Sequence, residues 1–461
     1  MVFASLAFVF LILPLFLIGD FATRQFKSGT WRNIWLVTIS LIFYVWGEAA
    51  SIFLLLALGI LNYWAGRYLP GSRRPRLWLS VFIAVNLSVL VGFKYVFWLT
   101  SLLGLYVSAK APSLPLGISF FTFHAISYLA DVYRRQIAPA KTMLDFLTYF
   151  CMFPHLVAGP IVRYAQVLGD LSCRGPDREL FSFGLYRFLI GLNKKVLIAN
   201  SVAIMADSAF TLSRFGHLHS PDAWLGLLAY AIQIYFDFSG YSDMAIGLAA
   251  MAGFRFEENF NRPYSSVSMR DFWHRWHISL SSWLRDYIYL PLGGSRGHWL
   301  TICRNLLLVF FLCGLWHGAE ASFIVWGLWH GLFLLIERWR VWGLWLAKMP
   351  AWLARLYVWL VFLIGWVFFR AENLPVAFAY LKSMFAFSLA PVALVYYWAA
   401  LAILAIGVLL CLLPDKYLPV PTSRKPGAYS DAFYGLQAGL AVFSVAFLLS
   451  GARNPFIYFN F

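Results

Sequence analysis

The sequence predicts an all-α polytopic membrane protein, and three observations carry that prediction. The 461 residues are 61% hydrophobic and only 12% charged, against about 25% charged in soluble domains. Apolar stretches of membrane-helix character recur from one end of the chain to the other. The net charge is +16, and much of it sits in loops between those stretches, as expected beside an anionic cytoplasmic leaflet. A water-soluble globule of this composition would expose large apolar patches and aggregate. That excludes a cytosolic enzyme, a disordered scaffold and a secreted disulfide module. No basic face on a soluble domain or arm is present, so nucleic acid is not an expected partner, whereas membrane lipids are.

The apolar stretches fall at 2–19, 33–47, 50–65, 77–99, 116–130, 143–162, 180–205, 224–252, 304–316, 322–336, 352–369, 394–413 and 433–450. A full crossing takes about 20 residues, and several stretches are shorter; we expect about ten or eleven crossings with short re-entrant and interfacial helices among them. The first twenty residues hold neither Lys nor Arg nor a small-residue cleavage site, and read as a retained first span. Residues 1–145 hold twelve Lys and Arg, ten of them in three clusters: Arg24, Lys27 and Arg32; Arg67, Arg73, Arg74 and Arg76; and Arg134, Arg135 and Lys141. Two spans separate each cluster from the next. The positive-inside rule then places all three in the cytoplasm and the N-terminus outside. Lys94 and Lys110 fall near the outer side, where Lys94 can snorkel to the interface.

Residues 253–304 are too polar to span, rich in aromatics and rich in arginine, which assigns them to the cytoplasmic side. One membrane domain over 1–461 is expected, with N-terminal spans in 1–145, a core in 146–370 and C-terminal spans in 371–461. The basic 414–430 segment is the best soluble linker. Cys151, Cys173, Cys303, Cys313 and Cys411 show no CxxC or metal spacing, so neither a disulfide framework nor a metal site is expected.

Ionisable residues inside apolar segments are costly and therefore mark candidate chemistry. His217, His219 and His298 lie in polar surroundings, and His124 and His155 read as hydrogen-bonded packing histidines. His317 stands apart, between apolar runs at 304–316 and 322–336. Each run would make a helix of only about 20–23 Å, short of the roughly 30 Å hydrocarbon core. The two helices would therefore meet at His317 below the surface. Gly314 and Gly318 flank it and permit close backbone approach, and a neutral imidazole there can serve as general base for a hydroxyl. His330 repeats the Trp-His-Gly triplet thirteen residues on; a relay role and a packing role both remain open. In 270–290, helical spacing gathers Trp273, His277, Leu280, Leu284 and Ile288 on one apolar stripe, with Arg275, Ser279, Ser282 and Asp286 on a polar one. That pattern suits an interfacial helix, and it makes His277, not His274, the partner for a buried site. Gln233 and Asp237 share a helix face; Asp237 is expected to pair with a buried Arg or His.

At these residues the chain resembles the membrane-bound O-acyltransferase family, and most closely the branch that O-acetylates bacterial exopolysaccharides such as alginate. The matching stretches are Leu114-Pro-Leu-Gly-Ile-Ser-Phe-Phe, Phe153-Pro-His-Leu-Val-Ala-Gly-Pro160, Tyr235-Phe-Asp-Phe-Ser-Gly-Tyr-Ser-Asp-Met-Ala-Ile-Gly247, Phe272-Trp-His-Arg-Trp-His-Ile-Ser-Leu-Ser281, Gly314-Leu-Trp-His-Gly-Ala319, Phe369-Arg-Ala-Glu-Asn373 and the Asn454–Phe461 tail. The resemblance implies a helical membrane fold with a thin centre, a cytoplasmic cavity for the acyl donor and an outward funnel for the acceptor. It maps the signature histidine onto His317 and a second polar position, Asn or His across the family, onto His277. Asp237, Trp316 and His330 are supporting positions.

The implied donor is acetyl-CoA, with no permanently bound cofactor. Arg262, Arg275, Arg285 and Arg296 are candidate contacts for its phosphates, because Arg pairs well with phosphate oxygens. The implied setting is the bacterial inner membrane. The implied acceptor is a serine of an extracytoplasmic partner acetyltransferase that passes the acetyl group to the polymer, alginate or cellulose. Glu320 stands where the alginate pattern has a neutral polar residue. Two alternatives accompany this expectation: a transporter of an acyl carrier or glycan precursor, which broken helices and a buried Asp237 would suit, and a D-alanyl or other glycan O-acyltransferase.

Overall fold

The computed structural model describes residues 3–26, 29–105, 113–172, 174–175, 177–386, 397–413, 431–451 and 454. Lys27, Lys110, Cys173, the 414–430 linker and the tail beyond Asn454 lie outside the described residues. Among the described residues the regular structure is entirely helical, as membrane insertion requires, because a helix satisfies its own backbone polar groups in lipid. Among the described residues, six helical stretches are long and apolar enough to cross a membrane: Ile52–Gly71, Pro75–Lys94, Arg178–Arg214, Trp299–His317, Ala351–Arg370 and Asp431–Leu449. Phe8–Thr23, Leu374–Phe385 and Trp398–Leu412 are shorter apolar helices. Gly29–Gly47, Ser220–Met251 and Ala321–Arg338 also have crossing length, but bury polar groups along it, including Asn33, Asp237 and His330. The protein is therefore a multi-pass membrane protein.

The chain divides into two compact units. The first comprises Met1–Leu192, Tyr241–Glu258 and Pro421–Gly451. Its centre is a set of phenylalanines: Phe153 packs against Phe3, Phe8, Phe16 and Phe43 with ring centroids 5.4–6.1 Å apart. The 143–162 stretch, read from sequence as one apolar run, breaks into Met143–Cys151 and Phe153–Leu156, because Pro154 cannot donate to a continuing helix. The break turns the Leu156 carbonyl toward Gly117, where any Cβ would collide with it. Gly117 also has φ +75°, so two of the sequence motifs meet where only glycine fits. Of the first basic cluster, Arg24 and Arg32 both pair with the buried Asp20 and donate to the carbonyls of Met251 and Ala252. Arg187 likewise bridges Asp243 and Glu258.

The second unit comprises Asn193–Gly240, Asn259–Val420 and Ala452–Phe461. Its organising feature is the hairpin of Trp299–His317 and Ala321–Arg338. A Cβ on Gly314 would fall on the Phe323 carbonyl, and one on Gly327 would fall on the Phe310 carbonyl. The helices thus touch backbone to backbone, the small-residue packing that membrane helices use in place of a hydrophobic driving force. These helices have 19 and 18 residues, longer than the apolar runs suggested. The first helix begins at Trp299 and winds Thr301 and Cys303 into its opening turns, which the apolar run starting at 304 leaves out. His317 is accordingly the last residue of a full-length helix, not the meeting point of two half-helices.

A second feature is a charge pair. Lys195 lies in the π-helical stretch Lys194–Ala199, where the extra residue per turn marks a bulge. Its Nζ is 2.7 Å from Asp237 Oδ1 and 2.9 Å from Asn200 Oδ1, with both Lys195 and Asp237 buried. Asp237 therefore pairs with a lysine, a partner type the sequence did not suggest. Lys195 itself reads in the sequence as an edge residue.

Two outcomes follow from this packing. Gly327→Val should cost about 1–3 kcal/mol, the range for overpacking a closed contact, and should lower the melting temperature of the purified protein in detergent. Lys195→Met should cost about 3–5 kcal/mol by removing one partner of a buried ion pair. Adding Asp237→Leu should recover part of that loss in the same thermal measurement.

Candidate active site

All residues of this site belong to the second unit. His317 is 4% exposed and sits where the hairpin's first helix ends. Its ring packs edge-on against Trp316, Trp326 and Phe369, with centroids 4.9, 5.0 and 5.1 Å away. Gly318 leaves the helix in an extended conformation, and a Cβ there would run into the Phe323 ring. Absence of a side chain is thus what lets the chain turn tightly behind the imidazole. Glu320, one turn on, is exposed and occupies the N-cap position of the next helix without a side-chain cap.

His277 is 1% exposed, as its place on the apolar stripe predicted, but by a different geometry. The 270–290 segment is not one helix. It forms Met269–Arg275 and Ile278–Leu284 followed by a π-helical turn, and His277 sits in the break with φ 44° and ψ 54°. A left-handed non-glycine residue costs about 1–3 kcal/mol and persists only where its surroundings hold it. Here they do. Ile278 N–H donates to the Asn259 carbonyl at 2.9 Å, and Asn261 N–H donates to the Arg275 carbonyl at 2.8 Å. The Ser268 side chain caps the first short helix, while the Glu337 carboxylate accepts from the Met269 and Arg270 amides.

The ring of His277 meets Phe238 at 4.7 Å and Trp316 at 6.1 Å. Trp316 therefore touches both His277 and His317. Trp326 in turn touches His317 and, at 5.2 Å, His330. The three histidines read from sequence are thus joined through two tryptophans. His330 is completely buried among Phe272, Trp273 and Trp326, and Gly365 makes room for its ring, since a Cβ there would come within 2.8 Å of Nε2. The indole N–H groups of Trp273 and Trp326 are buried without a protein acceptor among the described residues. Buried donors left unmatched cost about 1–3 kcal/mol each, and such donors can serve a passing carbonyl or oxyanion.

The remaining candidates do not converge. Arg275 pairs with Asp271 at 2.7 Å and Arg285 with Asp286 at 2.7 Å. Arg285 and Arg296 are exposed, and Arg262 takes a left-handed conformation in the loop after Asn261. Asp237 belongs to the Lys195 pair, so a structural ion pair accounts for the carboxylate that suggested a transporter. Among the described residues no group of His, Cys, Asp or Glu is arranged to hold a metal. In the first unit, His124 and His155 come together with ring centroids 4.5 Å apart. His155 Nε2 lies 2.7 Å from the Tyr149 carbonyl, the packing role expected of it, whereas neither ring nitrogen of His124 has a protein partner among the described residues.

The sequence reading gave Lys195 only an edge position and passed over Asn259. The Lys195 signal was the Lys194-Lys195 doublet inside an otherwise apolar run, a cost that demands a partner. Asn259 offered no local signal, because its partner lies 18 residues away.

A buried, ring-lined histidine pair with nearby indole N–H donors can deprotonate a hydroxyl and stabilise an acyl-transfer intermediate. Comparison with known proteins agrees with that chemistry. A profile of the membrane-bound O-acyltransferase family matches residues 75–411. The chain is 44% identical over 402 residues to the probable alginate O-acetylase of Azotobacter vinelandii, covering 84% of this chain and 78% of that one. It is 36% identical over 421 residues to the peptidoglycan O-acetyltransferase of Helicobacter pylori, covering 83% and 80%. It is 31% identical over 250 residues to the teichoic acid D-alanyltransferase of Bacillus subtilis, covering 50% and 62%. The chain belongs to the membrane-bound O-acyltransferase family, and it is a membrane-bound O-acyltransferase.

Proposed function

We propose that this enzyme passes an acetyl group from cytoplasmic acetyl-CoA to an extracytoplasmic hydroxyl, for O-acetylation of an exopolysaccharide in the bacterial inner membrane. The observation that carries this reading is the pair of buried imidazoles, His317 and His277, on either side of Trp316. The alginate relative supplies the acyl group and polymer class.

In this mechanism the acceptor hydroxyl loses its proton to the histidine pair, with His317 as the base and His277 assisting. The oxygen attacks the thioester carbonyl and forms a C–O bond. The resulting oxyanion is held by donors such as the Trp326 indole N–H, beside His317, in a site lined by aromatic rings. The carbonyl re-forms, the C–S bond breaks, and the proton returns from the histidine pair to the leaving thiolate. Of the four candidate phosphate contacts, Arg275 and Arg285 are engaged by Asp271 and Asp286, and Arg296 is exposed. The immediate acceptor is a serine of an extracytoplasmic partner acetyltransferase, which hands the acetyl group to the polymer. Alginate and cellulose both present suitable hydroxyls. A second reading, acylation of a cell-wall glycan, is favoured by the peptidoglycan-acetylating relative, which matches over a similar share of the chain.

The test is a His317→Ala variant, checked for membrane insertion, in cells whose exported polymer is assayed for acetate esters. Loss of at least about a hundredfold in ester content is expected for removal of a general base. Unchanged acetylation would remove His317 from the mechanism. Purified protein given acetyl-CoA labelled in the acetyl group should release free thiol or transfer label, and D-alanine esters in place of acetate would favour a different acyl donor.

A further inference from the structure

We infer that Asn259 is a positioning residue that fixes His277 in one tautomer, with the proton on Nδ1 and a bare lone pair on Nε2. The inference rests on the reading of His277 as part of the proton-accepting pair, and it assigns which atom of that ring does the work.

The argument is one of donors and acceptors. Asn259 Oδ1 lies 3.2 Å from the Ser279 backbone nitrogen, 2.8 Å from Ser279 Oγ and 3.1 Å from His277 Nδ1. A backbone N–H can only donate. The Asn259 atom facing Ser279 must therefore be the carbonyl oxygen, not the amide nitrogen, which settles an orientation that electron count alone leaves ambiguous. A carbonyl oxygen can only accept, so His277 Nδ1 must carry a hydrogen. A neutral imidazole has one N–H, which leaves Nε2 as the acceptor.

Nε2 is buried and has no protein partner among the described residues. The faces of the ring are taken by Phe238, Phe260 and Trp316, none of which carries a charge. Asn259 also accepts the Ile278 N–H on its own backbone carbonyl. The same residue thus holds the left-handed turn at His277 and the ring that the turn presents. A histidine whose distal nitrogen is tied to an oxygen while its near nitrogen faces the reaction is the arrangement that orients bases and metal ligands generally.

When the hydroxyl proton reaches the histidine pair, Nε2 is the only atom of His277 that can hold it, and the same atom returns it to the leaving thiolate. The hydrogen on Nδ1 stays bonded to that nitrogen and donated to Asn259 Oδ1 throughout, so no proton crosses the asparagine. An amide partner, unlike a carboxylate, adds no charge, which keeps the resting imidazole neutral and ready to accept.

The full-length protein, purified in detergent and assayed for acetyl-CoA cleavage, provides the kinetic test. Asn259→Leu should lower kcat by at least about tenfold with the KM for acetyl-CoA nearly unchanged, since wrong-tautomer bases lose turnover and not binding. Asn259→Asp keeps the accepting oxygen and should restore turnover, with the acid limb of the pH profile moved up by about one unit by the added negative charge. In a His277→Ala background neither change should have any further effect on rate. Independent, multiplying losses, or an aspartate no better than leucine, would overturn the assignment.

The tautomer is also read directly, without turnover, by solid-state NMR of protein labelled with 15N-histidine, the His277 signals being assigned by difference from His277→Gln. Near neutral pH, Nδ1 should be protonated and Nε2 bare, and Asn259→Leu should abolish that preference. A ring protonated on Nε2 would overturn the inference even in an active enzyme. Failure of acetyl-CoA cleavage together with the expected tautomer would overturn the donor reading alone.

Discussion

Backbone contact between the helices ending at His317 and beginning at Ala321 sets the geometry on which the site depends. Gly314 meets the Phe323 carbonyl and Gly327 meets the Phe310 carbonyl, so the helices approach as closely as main chains allow. Lipid offers no hydrophobic drive to hold helices together, and such packing must come from shape alone. Close approach fixes the turn at Gly318, and with it the position of His317 between Trp316, Trp326 and Phe369. Larger side chains at the glycines would spread the hairpin and separate the imidazole from the rings that enclose it.

Charge is handled differently from base chemistry in this molecule. Several buried ionised groups are tied to opposite charges: Lys195 to Asp237, Arg187 to Asp243 and Glu258, Arg24 and Arg32 to Asp20. Such pairs hold segments together at a large desolvation cost and are ill suited to gain or lose protons during turnover. The buried histidines of the second unit, His277, His317 and His330, instead pack against indole and phenyl rings. A neutral base enclosed by rings can take a proton from an alcohol and return it without rearranging a salt bridge. That division favours acyl transfer over ion-coupled transport, for which a buried carboxylate would need to be released and rebound.

How much of this was legible in the sequence depended on how local each signal was. His317 was visible because an imidazole between apolar runs and beside glycines is costly anywhere in a membrane. The first helix of the hairpin was judged too short because its apolar run begins only at 304, whereas a helix start tolerates polar side chains such as Thr301. His277 was found for a reason that proved only half right. The periodicity placed it correctly inside, but no periodicity shows that the chain turns left-handed at that residue, because the hydrogen bonds that hold the turn come from Asn259 and Asn261. Lys195 was misread as an edge residue because its partner, Asp237, is 42 positions away in sequence. The membrane-bound O-acyltransferase motifs were legible as strings, but the contact between Gly117 and Leu156 that joins two of them was not.

The left-handed turn at His277 explains why two short helices replace the single amphipathic helix that the pattern suggested. A continuous helix would carry His277 on a regular stripe and leave Nδ1 facing the groups of its own helix. Breaking the helix costs backbone hydrogen bonds and about 1–3 kcal/mol of conformational strain. Asn259 and Asn261 compensate by lacing the break to the preceding segment. What the break gains is a ring held at one nitrogen and open at the other, beside the tryptophan that also touches His317. The strain and the amide that relieves it are therefore parts of one device, and the sequence distance between Asn259 and His277 is the length of chain needed for a short loop and a single helical turn pair to fold back on themselves.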